Sequence, residues 1–392
     1  MATCLCRGRL SYSSHARDEI WFSAEEGIAL RTVMENVSIY VAQSNRRVLG
    51  DGNSGPLRIR PLTQSHAYLS ASASALGSRL VPSEEVDLAY GMPIGKLRDR
   101  AGIVSFAYAT ESENEGSLGA RACLDVLEQS GETAKSIDWI LAASETHHAF
   151  PSLSAVLHAR LQLREACNAL DVGSGCLALL QTLAVAQALL ESGRAKKILV
   201  ATADVHSRTL GPGRAAGEFG GLFGDGASAF LLGSVPPPGP APCAYLLGDF
   251  FFGCATKYAD AICVSEAGDG RLDVQFSGDA LSRAAVSCME KVVDEVERRS
   301  GIPRTEVGAF ATHQPNPRLV TLLAKQLNVP AKTFPPIGIT SGNLGSSMCG
   351  VALDAALRGA SAQPIEKRRP VFLASLGPGL LYGGGWLVPT SA

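Results

Sequence analysis

The chain has 392 residues, 46% of them hydrophobic and 18% charged, with a formal net charge of -2. That composition builds a large buried core, in two packed layers or two domains, and the scattered Lys and Arg offer no basic stripe for nucleic acid or an anionic membrane. The ten cysteines include no C-x-x-C pair, which argues against zinc and against a dense disulfide framework, and no apolar run reaches the roughly 18 residues of a membrane span.

Residues 1–66 show mixed periodicity and end in the breaker-rich Asp51-Gly-Asn-Ser-Gly-Pro56. Arg7, Arg9 and Arg17 precede the first acid, Asp18, a composition that fits a flexible leader better than an organelle-targeting segment, so a cytoplasmic location is expected. From Ala67 the pattern tightens. Alternation predicts a strand at 68–73, helical spacing follows at 118–129, then a strand at 139–143 and a helix at 152–163. Asp171-Val-Gly-Ser-Gly-Cys176 then opens a helix over 177–192 that is apolar almost all the way round, the mark of a buried helix. Strands at 198–203 and 227–232 complete an α/β pattern whose sheet is covered on both faces.

After the linker Ser234-Val-Pro-Pro-Pro-Gly-Pro-Ala-Pro242 the order returns: helix 279–299, strand 309–312, helix 318–327, helix 346–358, and strands 371–375 and 385–388. Each element lies about 155 to 175 residues after its counterpart, which means a duplicated domain. The expected organisation is a leader over 1–66, a first half over 67–235 and a second over 236–392. The loop before the apolar helix carries Cys176 in the first half and Asn343 in the second, and His313 follows a strand end where it would face the same cleft.

At the N-terminus of a buried helix the Cys176 thiol is expected to feel the positive dipole end and to have a lowered pKa, as a nucleophile requires. Taken singly, Cys176 reads more readily as a buried structural cysteine and His313 as a satisfied polar residue, and Asn343 is compatible with a turn residue tolerating positive φ. Asp225 in Phe223-Gly-Asp-Gly226 is expected to fix a turn through backbone amides. His147 and His148 are expected to be structural, because adjacent side chains of an extended segment point opposite ways. The glycine-rich pieces do not follow dinucleotide spacing, so no nicotinamide or flavin cofactor is expected.

Five motifs together resemble the β-ketoacyl-acyl-carrier-protein synthase III family of the thiolase-like superfamily: Thr146-His-His-Ala-Phe-Pro151, Asp171-Val-Gly-Ser-Gly-Cys176, Phe223-Gly-Asp-Gly-Ala227, His313-Gln-Pro-Asn316 and Gly342-Asn-Leu-Gly-Ser346. The resemblance implies a five-layered αβαβα fold from two pseudo-duplicated βαβ-rich halves, with Cys176 as nucleophile and His313 and Asn343 as partners. It implies loading of an acyl group on Cys176 and decarboxylative Claisen condensation with a malonyl thioester. The substrates would be coenzyme A or acyl-carrier-protein thioesters. The Cys176 N–H and a donor from Gly377 or Gly379 would hold the oxyanion. Phe150 would reach across a homodimer interface, and Arg100, Arg208, Arg214, Arg283 and Asn316 would bind substrate or carrier.

Lys96 stands where the family often has an aromatic residue, and Gly377-Pro-Gly379 is similar to the turn of chalcone-synthase-like enzymes, features suggesting a specialised secondary-metabolism member. Two other readings are compatible with the chain: acyl transfer to an alcohol, amine or carrier thiol without condensation, and a non-catalytic thiolase-like scaffold subunit.

Overall fold

The structure, a computed structural model, describes residues 66–390 except Ser174, 238–242, Thr256, Tyr258, Ala259, Ala261, 268–270 and Ser277. The proposed leader, apart from His66, lies outside the described residues. The first half contributes strands β1 (Tyr68–Leu76), β2 (Arg79–Pro82), β3 (Ser105–Tyr108), β4 (Trp139–Ala143), β5 (Asn168–Asp171), β6 (Lys197–Val205) and β7 (Asp225–Gly233). The second contributes β8 (Tyr245–Leu247), β9 (Phe251–Cys254), β10 (Ile262–Glu266), β11 (Leu272–Phe276), β12 (Ala309–Thr312), β13 (Val371–Gly377) and β14 (Leu381–Pro389). The helices of two turns or more are α1 (Ser83–Ala89), α2 (Glu115–Ser130), α3 (Leu153–Arg160), α4 (Ala178–Glu191), α5 (Gly278–Ser300), α6 (Pro317–Gln326) and α7 (Met348–Ser361).

The main sheet runs β5-β4-β6-β7-β1 and continues β8-β14-β13-β12, with β9 also on β14. Within the first half β4 and β6 pair parallel, then β6 with β7 and β7 with β1 antiparallel; β12, β13, β14 and β8 repeat that sequence of pairings. The duplication read from the sequence is therefore a repeat of topology. The two half-sheets meet through a short antiparallel seam, Tyr68 opposite Leu246 and Leu69 opposite Tyr245.

Five layers follow from the packing. α2 covers β1, β6 and β7 on one outside, with α3 beside it; α5, with α6, covers β13 and β14 on the other. Between the half-sheets, α4 packs on β4 and β6 and reaches β14, while α7 packs on β12 and β13 and reaches β1 and β7. The inward face of α4 is fully buried, with Leu179, Leu180, Leu183 and Leu190 all inaccessible, each contributing roughly 1.5 to 3 kcal/mol, and its other apolar residues Val185 and Leu189 are half-buried against the same core. β1 alternates for a different reason than a solvated strand would. Its Ala71, Ala73 and Ala75 join the core with α2, while Ser72 and Ser74 donate to the buried Asp354 carboxylate of α7 at 2.9 and 2.6 Å. No helix among the described residues is long and apolar enough to cross a membrane.

Candidate active site

β4, β6, β12 and β13 end at the same side of the central layer, and the loops that follow them enclose a cavity of about 1030 Å³. Cys176, His313 and Asn343 all line it, contributed by both halves of the chain. The turn Gly175–Leu177 packs directly on Gly345–Ser347 and on β13. Ser375 Oγ donates to the Cys176 carbonyl at 2.7 Å and anchors the nucleophile's backbone to β13.

Each partner is held by its loop. Asn343 exchanges backbone bonds with the strand-like segment at Phe223: its N–H donates to Leu222 O at 2.9 Å and its carbonyl accepts from Gly224 N–H at 2.8 Å. Asn343 Oδ1 accepts from Gly345 N–H at 3.0 Å, which fixes the carboxamide's orientation and leaves Nδ2 as its donor. His313 N–H donates to Ala374 O at 3.2 Å, and its Nδ1 is buried without a hydrogen-bond partner. Burial holds this imidazole well below its ordinary range, at about 4, so it is neutral at physiological pH.

The thiol departs from the expectation. Burial, then the Glu145 carboxylate beside it, then Asp204, push the Cys176 pKa well above that of a free cysteine; its own backbone N–H opposes them without prevailing. The helix dipole argument fails because desolvation and two carboxylates outweigh a partial charge at the turn. Cys176 rests as a thiol.

Glu145 and His206, which sequence reasoning did not single out, also line the cavity. Glu145 Oε2 lies 3.3 Å from His206 Nε2, with the imidazole fully inside and the carboxylate 18% exposed. Burial pushes the Glu145 carboxyl up, but the hydrogen bond and the positive charge that His206 offers hold it below its ordinary value. Burial likewise disfavours His206 charge, yet Glu145 and Asp204 raise its pKa. Glu145 is therefore ionised, and His206 takes up a proton more readily than a free imidazole. A glutamate two residues past the end of a buried strand was the available signal.

Asp204 organises the floor. It accepts from Glu145 N–H at 2.7 Å, Ser346 Oγ at 2.6 Å, and Ser347 N–H and Oγ at 3.0 and 2.8 Å. Asp225, as expected, bonds backbone amides, those of Ala109 and Ser207 at 2.6 and 2.8 Å, and so sets the turn after His206. Asp171 caps α3 through Leu153 and Ser154 N–H.

The remaining expected residues divide. Gly377 lines the cavity and Gly379 does not; Pro378, which lies against Gly175, has no N–H to donate. Arg214 and Asn316 line the cavity, Asn316 also capping α6 through Leu319 N–H at 3.0 Å. Arg100 is exposed and away from it, and Arg208 bonds Thr110 O beside a separate cavity of about 680 Å³. Arg283 lies in α5, its side chain outside the described residues. Phe150 is 99% exposed, so it is not a core phenylalanine. His147 and His148 both line the cavity, His147 Nε2 bonding Pro151 O at 3.0 Å.

The family model for 3-oxoacyl-[acyl-carrier-protein] synthase III matches residues 170–242, and the model for its C-terminal part matches 298–388. The chain is similar to the β-ketoacyl-[acyl-carrier-protein] synthase III of Methylococcus capsulatus, 27% identical over 82% of this chain and 98% of that one. It is 28% identical to the enzyme of the same name from Shewanella oneidensis, over 73% of this chain and 88% of that one. Among solved structures, the fold matches the 3-oxoacyl-(acyl carrier protein) synthase III of Pseudomonas aeruginosa PAO1 with a TM-score of 0.72 at 23% identity, covering 83% of this chain and 99% of that one. It matches the priming β-ketosynthase from the R1128 polyketide biosynthetic pathway with a TM-score of 0.73 at 24% identity, covering 86% and 100%. The motifs, the duplicated five-layered fold and these matches together make the chain similar to the β-ketoacyl-acyl-carrier-protein synthase III enzymes.

Proposed function

We propose that the protein is an acyltransferase that loads an acyl group on Cys176 and condenses it with a malonyl thioester, releasing CO2 and giving a 3-oxoacyl thioester. The single observation that carries this reading is that Cys176, His313 and Asn343, brought from both halves, line one cavity. Cys176 attacks the acyl thioester, and its N–H, with that of Gly377, holds the tetrahedral oxyanion. The acyl chain then lies along an apolar wall that includes Val286, Met289, Leu319 and Leu323 of α5 and α6.

Decarboxylation of the malonyl thioester develops an enolate oxygen, which needs neutral donors that are in place beforehand. A neutral His313 and the anchored Asn343 amide meet that need, whereas cationic or anionic groups would bind the malonyl carboxylate or repel the enolate. The carbanion attacks the acyl-cysteine carbonyl and frees the thiol. No dissociable cofactor is required by these steps.

The donor and extender are thioesters of coenzyme A or of an acyl carrier protein. Lys96, bridged to Glu218 where the family often has an aromatic, favours a carrier donor held through pantetheine, with Arg214 on the cavity wall as an anionic contact. The fully exposed Phe150 supports a homodimer in which this aromatic closes the partner subunit's cavity, and the setting is cytoplasmic. Incubation with acyl and malonyl thioesters tests the reaction. A 3-oxoacyl product formed with equal CO2 is expected, and acyl transfer to an acceptor without CO2 would refute condensation.

A further inference from the structure

We propose that Glu145, oriented by His206, takes the proton of the Cys176 thiol during acyl loading and returns it to the departing thiol. This rests on Cys176 being the acylated residue. Glu145 Oε1 is buried and has no aligned hydrogen-bond partner, while Oε2 is held by His206. A Cβ at Gly175, the residue before the nucleophile, would stand 3.7 Å from Oε1, so the free oxygen faces the Cys176 turn.

The pair is built in place. Glu145 N–H is tied to Asp204, and the His206 ring stacks on Phe223 with centroids 4.7 Å apart. Gly345 gives His206 its room: a Cβ there would come within 2.2 Å of Cε1 and 2.9 Å of Glu145 Oε2. The titratable groups facing Glu145 are Cys176 from its turn, Asp204 from β6, His206 after it and His313 after β12.

Neighbouring groups are poorer acceptors for this proton. Asp204 already takes hydrogen bonds from Glu145, Ser346 and Ser347. His206 Nε2 is already engaged with Glu145. If His313 keeps its proton on Nε2 to donate to the enolate, that nitrogen cannot also accept from the thiol. In the step, the S–H bond breaks, the proton moves to Oε1 and sulfur bonds the thioester carbon. Collapse breaks the donor's C–S bond, and the leaving thiolate takes the proton back from Glu145. Nothing else is consumed.

The test follows acyl mass on the full chain with time, using short-, medium- and long-chain acyl thioesters of both coenzyme A and an acyl carrier protein. Glu145→Gln should slow loading by about 10²-fold or more near neutral pH, with the gap closing as pH rises and the thiol ionises unaided. Glu145→Asp should recover part of the rate, and His206→Asn should lower it less than Glu145→Gln. A bystander carboxylate predicts the opposite sign, because removing a charge beside a thiol favours the thiolate. Equal or faster loading by Glu145→Gln therefore overturns the assignment. A wild-type chain that takes up no acyl mass overturns the reading of Cys176 on which it rests.

Discussion

Asp204 and Ser347 lie in opposite halves of the chain and share two hydrogen bonds, from the Ser347 N–H at 3.0 Å and from its hydroxyl at 2.8 Å, both to Asp204 Oδ2. The same carboxylate holds Glu145, so one buried group fixes the loop of the nucleophile's half against the loop of Asn343. Replacing it by asparagine keeps the shape but turns donors toward a donor. Asp204→Asn should lose about 2 to 3 kcal/mol of stability, read as a lower urea midpoint with an unchanged slope.

Acid stability should carry a signature of His313. Its folded pKa of about 4 lies below the ordinary 6.5, so between those values the unfolded chain binds a proton that the folded chain refuses. Above about pH 6.5 neither state is protonated there and the effect vanishes. On acidification from about 6.5 to 4 the stability should fall by about 3 kcal/mol from this group, at roughly 1.4 kcal/mol per unit. Denaturation of His313→Gln across that window should show a shallower pH dependence than wild type.

Gly345 combines a φ of +56° with a Cβ position that clashes with His206. Gly345→Ala should strain the turn by about 1 to 3 kcal/mol and displace the imidazole, which also loosens the N–H that anchors Asn343 Oδ1. Thermal melting should show the destabilisation, and condensation should drop by at least about tenfold, equal to 1.4 kcal/mol.

The two halves of the reaction should separate at Asn343. Asn343→Ala removes a donor to the enolate and leaves Cys176 in place, so malonyl decarboxylation should fall by about 10² to 10³-fold while acyl loading persists. Parallel assays of CO2 release and acyl mass check the split.

The parts of the fold set by burial were legible in the chain. The strand read at 139–143 is β4 as observed, and the apolar 177–192 is α4 preceded by one tight turn. Where polar chemistry sets the boundary, periodicity fell short. α2 starts three residues before the apolar spacing does, because Asn114 and Ser117 exchange cap bonds at 2.8 and 2.9 Å. The hairpin of β10 and β11, beyond the proline-rich linker, was not foreseen. At the site, Cys176, His313 and Asn343 stand in recognisable motifs, whereas Glu145 and His206 matter only through contacts between residues far apart along the chain. The depressed thiol pKa was misjudged for the same reason: the dipole is local and readable, and the carboxylates that outweigh it are not.

The most direct measurement is a chase. Wild-type protein is loaded from an acyl thioester, the adduct is located by peptide mass spectrometry, and a malonyl thioester is then added. The adduct should map to Cys176 and disappear as 3-oxoacyl product and CO2 appear together, and Cys176→Ala should never acquire it. An adduct on another residue, or one on Cys176 that malonyl thioester leaves untouched, would contradict a shared condensing site.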